Sequence, residues 1–198
     1  MLSVQEIRNR QFSSSSFIVS DERYNYCWAV DIGEFAPLLE QIPIGKNIKG
    51  VFLTHGHFDH IAGINDLVEV YPECKVYTSS FGEKMLRSDT LNLSKYHETP
   101  MVFNGQVEVL EDGDSVRLFN DVELSVIATP GHCPSCLTYQ IGNYLFTGDS
   151  YIPWAPVVTK LRYGDKKEAQ KSISKILSLI TSNTIVCPGH WGKGKLEF

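Results

Sequence analysis

The chain has 198 residues, of which 42% are hydrophobic and 21% are charged, a composition that excludes a fibrous or wholly disordered protein. Its 18 Lys and Arg against 23 Asp and Glu give a formal net charge of −5, which argues against nucleic acid as the main partner. The length predicts a single domain over residues 1–198.

The sequence also gives expectations about the cellular compartment. It has no run of about 18 apolar residues, so we expect no membrane-spanning helix and no membrane partner. Its first twenty residues lack the apolar core of a secretory leader. The five cysteines are an odd number, which favours free thiols over a disulfide framework. We therefore expect a cytoplasmic protein.

The first half of the chain predicts strands that alternate with helices. One helical face begins near Glu34, and a second apolar periodicity runs over 61–71. Short apolar runs between them predict strands at 17–19, 27–32, 48–53 and 75–78.

The second half predicts hairpins followed by one long helix. Helix 166–180 has Asp165 as its expected N-cap, and a last strand follows at 184–187. We infer an α/β fold of two mixed sheets with helices outside. Turn residues separate the hairpin strands predicted at 106–110, 115–118, 122–128, 137–141 and 144–146.

A dense histidine cluster, H-x-H-x-D-H, follows the predicted strand 48–53. It consists of His55, His57, Asp59 and His60. Residues two apart in an extended segment point the same way, so the first two imidazoles can reach one metal ion. Imidazole and carboxylate are ligands for zinc, iron and manganese. A lone histidine is more often structural, but so dense a cluster favours a metal centre.

Three further polar residues follow predicted strands in the same way. They are His132 in T-P-G-H, Asp149 in G-D and His190 in P-G-H. Each alone is more often a turn residue, but their shared position at strand ends indicates that they join the cluster. His97 lies in the polar stretch 92–99, outside this pattern, and we expect no ligand role for it.

This ordered set of motifs, with D-x-G at 31–33, resembles the metallo-β-lactamase superfamily, and within it the hydroxyacylglutathione hydrolase (glyoxalase II)-like branch. The resemblance implies an αββα sandwich of two mixed β-sheets flanked by helices, with two divalent metal ions at one edge. Zinc is the expected metal, and iron or manganese are the alternatives. The family's ligand pattern implies His55, His57 and His132 for one ion, Asp59, His60 and His190 for the other, and Asp149 as the bridge.

The resemblance also implies a reaction. A hydroxide that bridges the metals would attack a small-molecule thioester, lactone or related ester. Asp59 would in addition act catalytically, by protonating the leaving group. The branch's C-terminal helical extension is expected to be missing, because the chain ends soon after His190.

Alternatives remain open at this point. One is a mononuclear iron persulfide dioxygenase, which shares much of the ligand set. Others are a nuclease or phosphodiesterase of the same superfamily, or a metal-binding protein without catalysis. A β-lactam-opening enzyme is disfavoured, because such enzymes usually lack a histidine at the position of His60.

Several neighbouring residues have two possible roles. Cys133 and Cys136 form a C-x-x-C pair that suits redox chemistry, thiolate ligation or simple burial, and burial is the preferred interpretation. Lys160 and Arg162 belong either to a solvated basic face or to a site for a substrate carboxylate. The aromatic side chains that follow Asp149 are expected either in the pocket wall or in the core; they are Tyr151 and Trp154.

Overall fold

The computed structural model describes residues 1–192, so the predicted domain end at residue 198 lies outside the described residues. The first of its two β-sheets has six strands in sequence order. The first three strands pair antiparallel, and the third to sixth pair parallel. These strands are β1 (Leu2–Arg8), β2 (Ser15–Asp21), β3 (Tyr26–Val30), β4 (Asn47–Phe52), β5 (Lys75–Thr78) and β6 (Glu108–Val109).

The second sheet has five strands, in the order β11-β10-β9-β8-β7. Hairpin pairing joins β7 through β10, and the last strand pairs parallel to β10. The two sheets are therefore both mixed, as the sequence predicted. The strands are β7 (Ser115–Phe119), β8 (Val122–Ala128), β9 (Leu137–Ile141), β10 (Tyr144–Gly148) and β11 (Ile185–Pro188).

Helices connect the parallel strands of both sheets. The longest has the predicted cap, since the Asp165 side chain accepts hydrogen bonds from the backbone N–H groups of Lys167 and Glu168. Among residues 1–192, no helix has the length and hydropathy needed to cross a lipid bilayer. The helices are α1 (Phe35–Leu39), α2 (Phe58–Ile61), α3 (Ile64–Val70), α4 (Ser80–Leu86) and α5 (Lys166–Leu179).

Strands β2 and β3 of the first sheet are buried on both faces, which explains their apolar sequences. Along β2, Ile18 packs with the apolar cluster that includes Leu38 and Leu67 of the helices. Its neighbours Phe17 and Val19 point the other way, into a cluster shared with the second sheet. Side chains alternate along a strand, so one strand supplies both layers. The result is the predicted αββα sandwich.

Hydrogen bonds between the sheets bring the ends of their strands together. The Trp28 indole N–H donates to the Leu118 carbonyl at 3.1 Å. At the other end of the sandwich, the Tyr139 hydroxyl donates to the Leu53 carbonyl at 2.7 Å. The next residue, Thr54, accepts a backbone hydrogen bond at 2.7 Å from Leu137. The loop that follows β4 is therefore held against the second sheet.

Four elements differ from the sequence-based expectations. The strand expected over 106–110 in a hairpin is β6, which instead pairs parallel to β5 in the first sheet. Strand β1 was not predicted, because its apolar residues are sparse and one face of this edge strand is exposed. Helix α4 was also not predicted. The single helix expected over 61–71 is two helices, because the chain is held at Gly63, whose N–H donates to the Ile32 carbonyl at 3.0 Å.

Candidate metal centre

Polar side chains from both sheets meet at one edge of the sandwich. The histidine cluster lies after β4 in the first sheet and continues into α2. The other groups follow β8, β10 and β11 of the second sheet. Three overlapping sets have ligand atoms within 4.8 Å of one another: His55, His57 and His132; His55, His60 and Asp149; and Asp59, His60 and His190.

Asp149 lies between the two outer sets. Its Oδ2 is 3.4 Å from Nε2 of His132 and 3.4 Å from Nε2 of His190. Its Oδ1 is 3.5 Å from Nε2 of His60. Because one carboxylate faces both sets, it has the position that a bridging ligand requires.

The buried atoms at this point fit a cation. Nε2 of His55, Nε2 of His60 and Oδ1 of Asp149 are buried without a hydrogen-bond partner. Such atoms cost free energy unless they are satisfied, and few are found unpaired in folded proteins. These three belong to one set of ligand atoms. A metal ion would satisfy all of them, so the residues fit the group that the motifs imply.

Hydrogen bonds on the far side of the rings orient the imidazoles. His60 Nδ1 donates to Asp31 Oδ2 at 2.8 Å. His132 Nδ1 donates to the Val158 carbonyl at 2.8 Å. Because Nδ1 of each ring is engaged as a donor, Nε2 is the nitrogen that faces the centre and would bind a cation. Such supporting contacts are typical of histidines that bind metals.

Asp31 has a role that the sequence did not reveal. Its carboxylate accepts from the Thr54 backbone N–H and hydroxyl, both at 2.7 Å, as well as from His60. Its φ is 56°, in the left-handed region that few residues other than glycine adopt. The D-x-G motif contains this residue, but spacing alone gave no partner for it.

Burial and neighbouring groups together favour the ligand forms of two histidines and one aspartate. Desolvation lowers the pKa of His55 well below its ordinary value and that of His57 to about 3, so both rings are neutral. Burial raises the pKa of Asp149, but the nearby imidazoles of His190 and His60 outweigh it and hold the pKa well below the ordinary value. An ionised carboxylate beside neutral imidazoles is a donor set for a divalent cation.

The second outer set carries opposite charges in the absence of a cation. Burial lowers the pKa of His60, but Asp59 and Asp31 outweigh it and hold the pKa well above the ordinary value. Burial likewise lowers the pKa of His190, and hydrogen bonds to Asp149 and Asp59 raise it to about 9. Protons therefore occupy this set, and a metal ion would replace them.

A cavity of about 300 Å³ opens directly above these groups. His97 is one of its lining residues, so this histidine is closer to the site than the sequence indicated. The pocket-wall interpretation fails for Tyr151 and Trp154, and neither Lys160 nor Arg162 lines the cavity. Trp154 instead lines a different cavity, beside Trp191.

The C-x-x-C thiols lie in an apolar cluster with Met85. Cys133 Sγ and Cys136 Sγ are 3.3 Å apart, and both residues are buried. Neither thiol belongs to a candidate ligand set within residues 1–192. This placement agrees with the preferred interpretation of buried thiols.

Replacing His97 by alanine is expected to leave the metal content unchanged. The ring stacks on Phe58 at a centroid distance of 4.6 Å and contacts the Phe12 ring edge at 5.0 Å, but it joins no ligand set within residues 1–192. The lost aromatic contacts should cost about 0.5–1.5 kcal/mol of unfolding free energy. Elemental analysis and denaturant unfolding measure both effects. Loss of one metal ion would show that the ligand set is misassigned.

The matches with known proteins agree with this geometry. The sequence profile described as "Metallo-beta-lactamase superfamily" matches residues 32–190. That span includes every predicted ligand and all strands from β4 to β11, whereas β1 to β3 precede it. The chain belongs to the metallo-β-lactamase superfamily. The matched span contains the H-x-H-x-D-H, T-P-G-H, G-D and P-G-H elements, and Asp31 of D-x-G lies one residue before it.

Curated members of the superfamily include relatives called hydroxyacylglutathione hydrolase. The protein of that name from Tolumonas auensis is 30% identical over 193 residues, which cover 96% of this chain and 66% of the relative. The one from Salmonella typhi is 29% identical over 165 residues, which cover 83% and 57%. The chain thus spans about two thirds or less of these relatives.

Solved structures of the superfamily share the fold over nearly the whole chain. The B3 metallo-β-lactamase BLEG-1 has a TM-score of 0.84 and 26% identity, covering 96% of this chain and 92% of that one. TTHA1623, solved in a di-iron-bound form, has a TM-score of 0.79 and 24% identity, covering 95% and 92%. The second likeness concerns the fold alone.

The superfamily's T-P-G-H turn is packed tightly against α5. A Cβ added to Gly131 would overlap the backbone N and Cα of Ala169, and its φ of 137° is strained for any side chain. We expect Gly131→Ala to lower the unfolding free energy by about 2–4 kcal/mol, because overpacking and backbone strain add. Denaturant unfolding followed by circular dichroism measures this loss.

Gly113→Ala is the matched control for that variant. Gly113 also has a positive φ, 91°, but its Cβ would meet no atom within 4 Å. Only backbone strain then applies, so the loss should be about 1–2 kcal/mol. Equal losses in the two variants would contradict tight packing of the turn on α5.

Proposed function

We propose that this protein is a binuclear metal-dependent hydrolase that cleaves a small-molecule thioester, lactone or related ester. The observation that carries the proposal is the set of buried, unpartnered atoms of His55, His60 and Asp149, of which Asp149 also lines the cavity. The relatives called hydroxyacylglutathione hydrolase support thioesters as the first class to test. The negative net charge supports a small substrate over a nucleic acid.

The proposed ligands form two groups of three, one for each metal ion, and one carboxylate that the two ions share. We assign His55, His57 and His132 to one ion, Asp59, His60 and His190 to the other, and Asp149 to both. Zinc is the proposed metal, and iron or manganese suit the same donors. A bound pair of divalent cations supplies Lewis-acid chemistry, in which a substrate carbonyl is polarised and water becomes a nucleophile near neutral pH.

Among the proposed ligands, we assign a second role, in proton transfer, to Asp59. Its carboxylate is 24% exposed, lines the cavity and lies 3.3 Å from Nε2 of His190. Burial raises its pKa, but His60 and His190 outweigh burial, so the pKa lies below its ordinary value. The carboxylate is therefore ionised, and we assign it to accept a proton and pass it to the leaving group.

Elemental analysis paired with a substrate panel tests the proposal. Purified protein, not exposed to chelators, is assayed on thioesters, lactones, phosphodiesters and persulfides. We expect two metal ions per chain and hydrolysis of a thioester or lactone.

Three results would overturn the proposed function. One iron per chain with oxygen consumption on a persulfide would identify a dioxygenase. Cleavage of phosphodiesters alone would identify a nuclease or phosphodiesterase. Retained metal without any turnover would indicate a binding protein.

A further inference from the structure

The cavity above the candidate metal centre has apolar walls. Its volume, about 300 Å³, is at the lower end of the roughly 300–1,000 Å³ that small-molecule sites span. The floor consists of the imidazoles and carboxylates already described. The walls are formed by Phe12, Phe58, Leu93, Val158 and Leu161, with His97 as their polar member.

Cations are absent from these walls in the part of the chain that the structure describes. Lys160 and Arg162 flank Leu161 in sequence, yet neither lines the cavity. The Arg162 guanidinium lies over the Tyr163 ring, 5.0 Å from its centroid. A carboxylate placed between these walls would be buried without an ion pair, because no lysine or arginine of residues 1–192 lines the cavity.

The walls are held in place before any ligand arrives. Leu93 has a left-handed backbone with φ 70°, and strained residues of this kind persist only where their surroundings hold them. The neighbouring Asn92 is buried, and its amide donates to the Met101 carbonyl at 3.0 Å. On the opposite side, the Val158 carbonyl accepts from His132. The cavity is thus a preformed site.

Two wall residues expose apolar surface to solvent. Val158 is 52% exposed and Leu161 is 40% exposed. A ligand that covers them gains free energy if its own surface is apolar, in proportion to the area removed from water. A charged chain in the same place would lose hydration without gaining an ion pair.

On these grounds we infer that the cavity selects substrates whose acyl group is small, apolar and uncharged, with Leu161 as a specificity-determining residue. This inference rests on the proposed hydrolase function, since it names the substrate class of the same site. An acyl chain that ends in a carboxylate is disfavoured, because the apolar walls would bury its charge and no lysine or arginine of residues 1–192 lines the cavity to pair with it.

The test compares butyryl and succinyl thioesters of N-acetylcysteamine, which have equally long acyl chains and differ by one carboxylate. We expect kcat/KM for the butyryl substrate to be at least about tenfold higher, because burying an unpaired charge is costly. In Leu161→Arg this ratio should fall at least about tenfold. Leu177→Arg is the matched control, because Leu177 is 48% exposed on α5 and does not line the cavity. It should keep the wild-type ratio.

A binding measurement separates this inference from the proposed function. Ketone analogues of the two thioesters, with a methylene in place of sulfur, are titrated into the metal-loaded protein and followed by NMR. Tighter binding of the butyryl analogue, without turnover of any ester by metal-loaded protein, would support the apolar cavity and overturn the hydrolase. Hydrolysis with equal kcat/KM for both thioesters, or with a preference for the succinyl one, would overturn the inference. A wild-type ratio in Leu161→Arg would overturn the role of Leu161.

Discussion

Asp149→Ala is expected to lose metal and activity together. In the native protein, one oxygen of Asp149 faces His60 and the other faces His132 and His190. Removing this carboxylate therefore weakens both proposed metal sites at once. Residues that only support a ligand already cost about 10–100-fold in affinity or activity when they are removed. A shared ligand should therefore cost at least about 100-fold in kcat/KM. Elemental analysis and thioester hydrolysis measure the two losses.

Asp165→Ala provides the control for that substitution. Asp165 also accepts hydrogen bonds, but as the exposed N-cap of α5, distant in sequence from every proposed ligand. It should cost about 1 kcal/mol of unfolding free energy and leave the metal content unchanged. If Asp149→Ala kept the wild-type stoichiometry and rate, the bridging assignment would be wrong.

Asp31→Asn is expected to weaken metal binding although Asp31 is not a proposed ligand. Asparagine tolerates the left-handed backbone that this position requires, so the variant changes charge without adding strain. An amide has one acceptor oxygen, whereas both carboxylate oxygens of Asp31 accept hydrogen bonds, from His60 and Thr54. We expect about 10–100-fold lower metal affinity, measured by competition with a chelator.

Asp121→Asn tests whether any lost carboxylate has this effect. Asp121 is 59% exposed and pairs with Arg23 on the surface. Surface ion pairs contribute little, so metal affinity should stay at the wild-type value. An Asp31→Asn affinity within about twofold of wild type would instead show that the orientation of His60 does not depend on this carboxylate.

The fold was predictable because it follows from local patterns. Turn residues between alternating apolar segments indicated β8 and β9 with the bounds that the structure has, and an N-cap signal located the start of α5. The motif residues follow buried strands that pair or pack at one edge, so their proximity in space is a consequence of sheet order. Two statements stay predictions. One is that the motif residues bind metal, and the other is that residues 1–198 form one domain.

Other features depended on contacts that no spacing encodes. The partner of Asp31 lies 29 residues away, and its backbone conformation has no local signature. His97 reaches the cavity because its ring stacks on Phe58, which is remote in sequence. The wall residues Val158 and Leu161 lie in a long irregular loop, where the sequence has no hydrophobic periodicity from which their positions could be predicted. Tertiary packing determined these positions.

Because the proposed ligands come from both sheets, the stability of the folded protein should depend on the metal supply. A cation held by His55 and His132 cross-links segments of the chain that separate on unfolding. A ligand that binds only the native state, at a concentration about 1,000 times its dissociation constant, adds about 4 kcal/mol of stability. The temperature at which the protein unfolds should therefore rise with the free metal concentration, and under metal starvation proteases would remove the unloaded chains first.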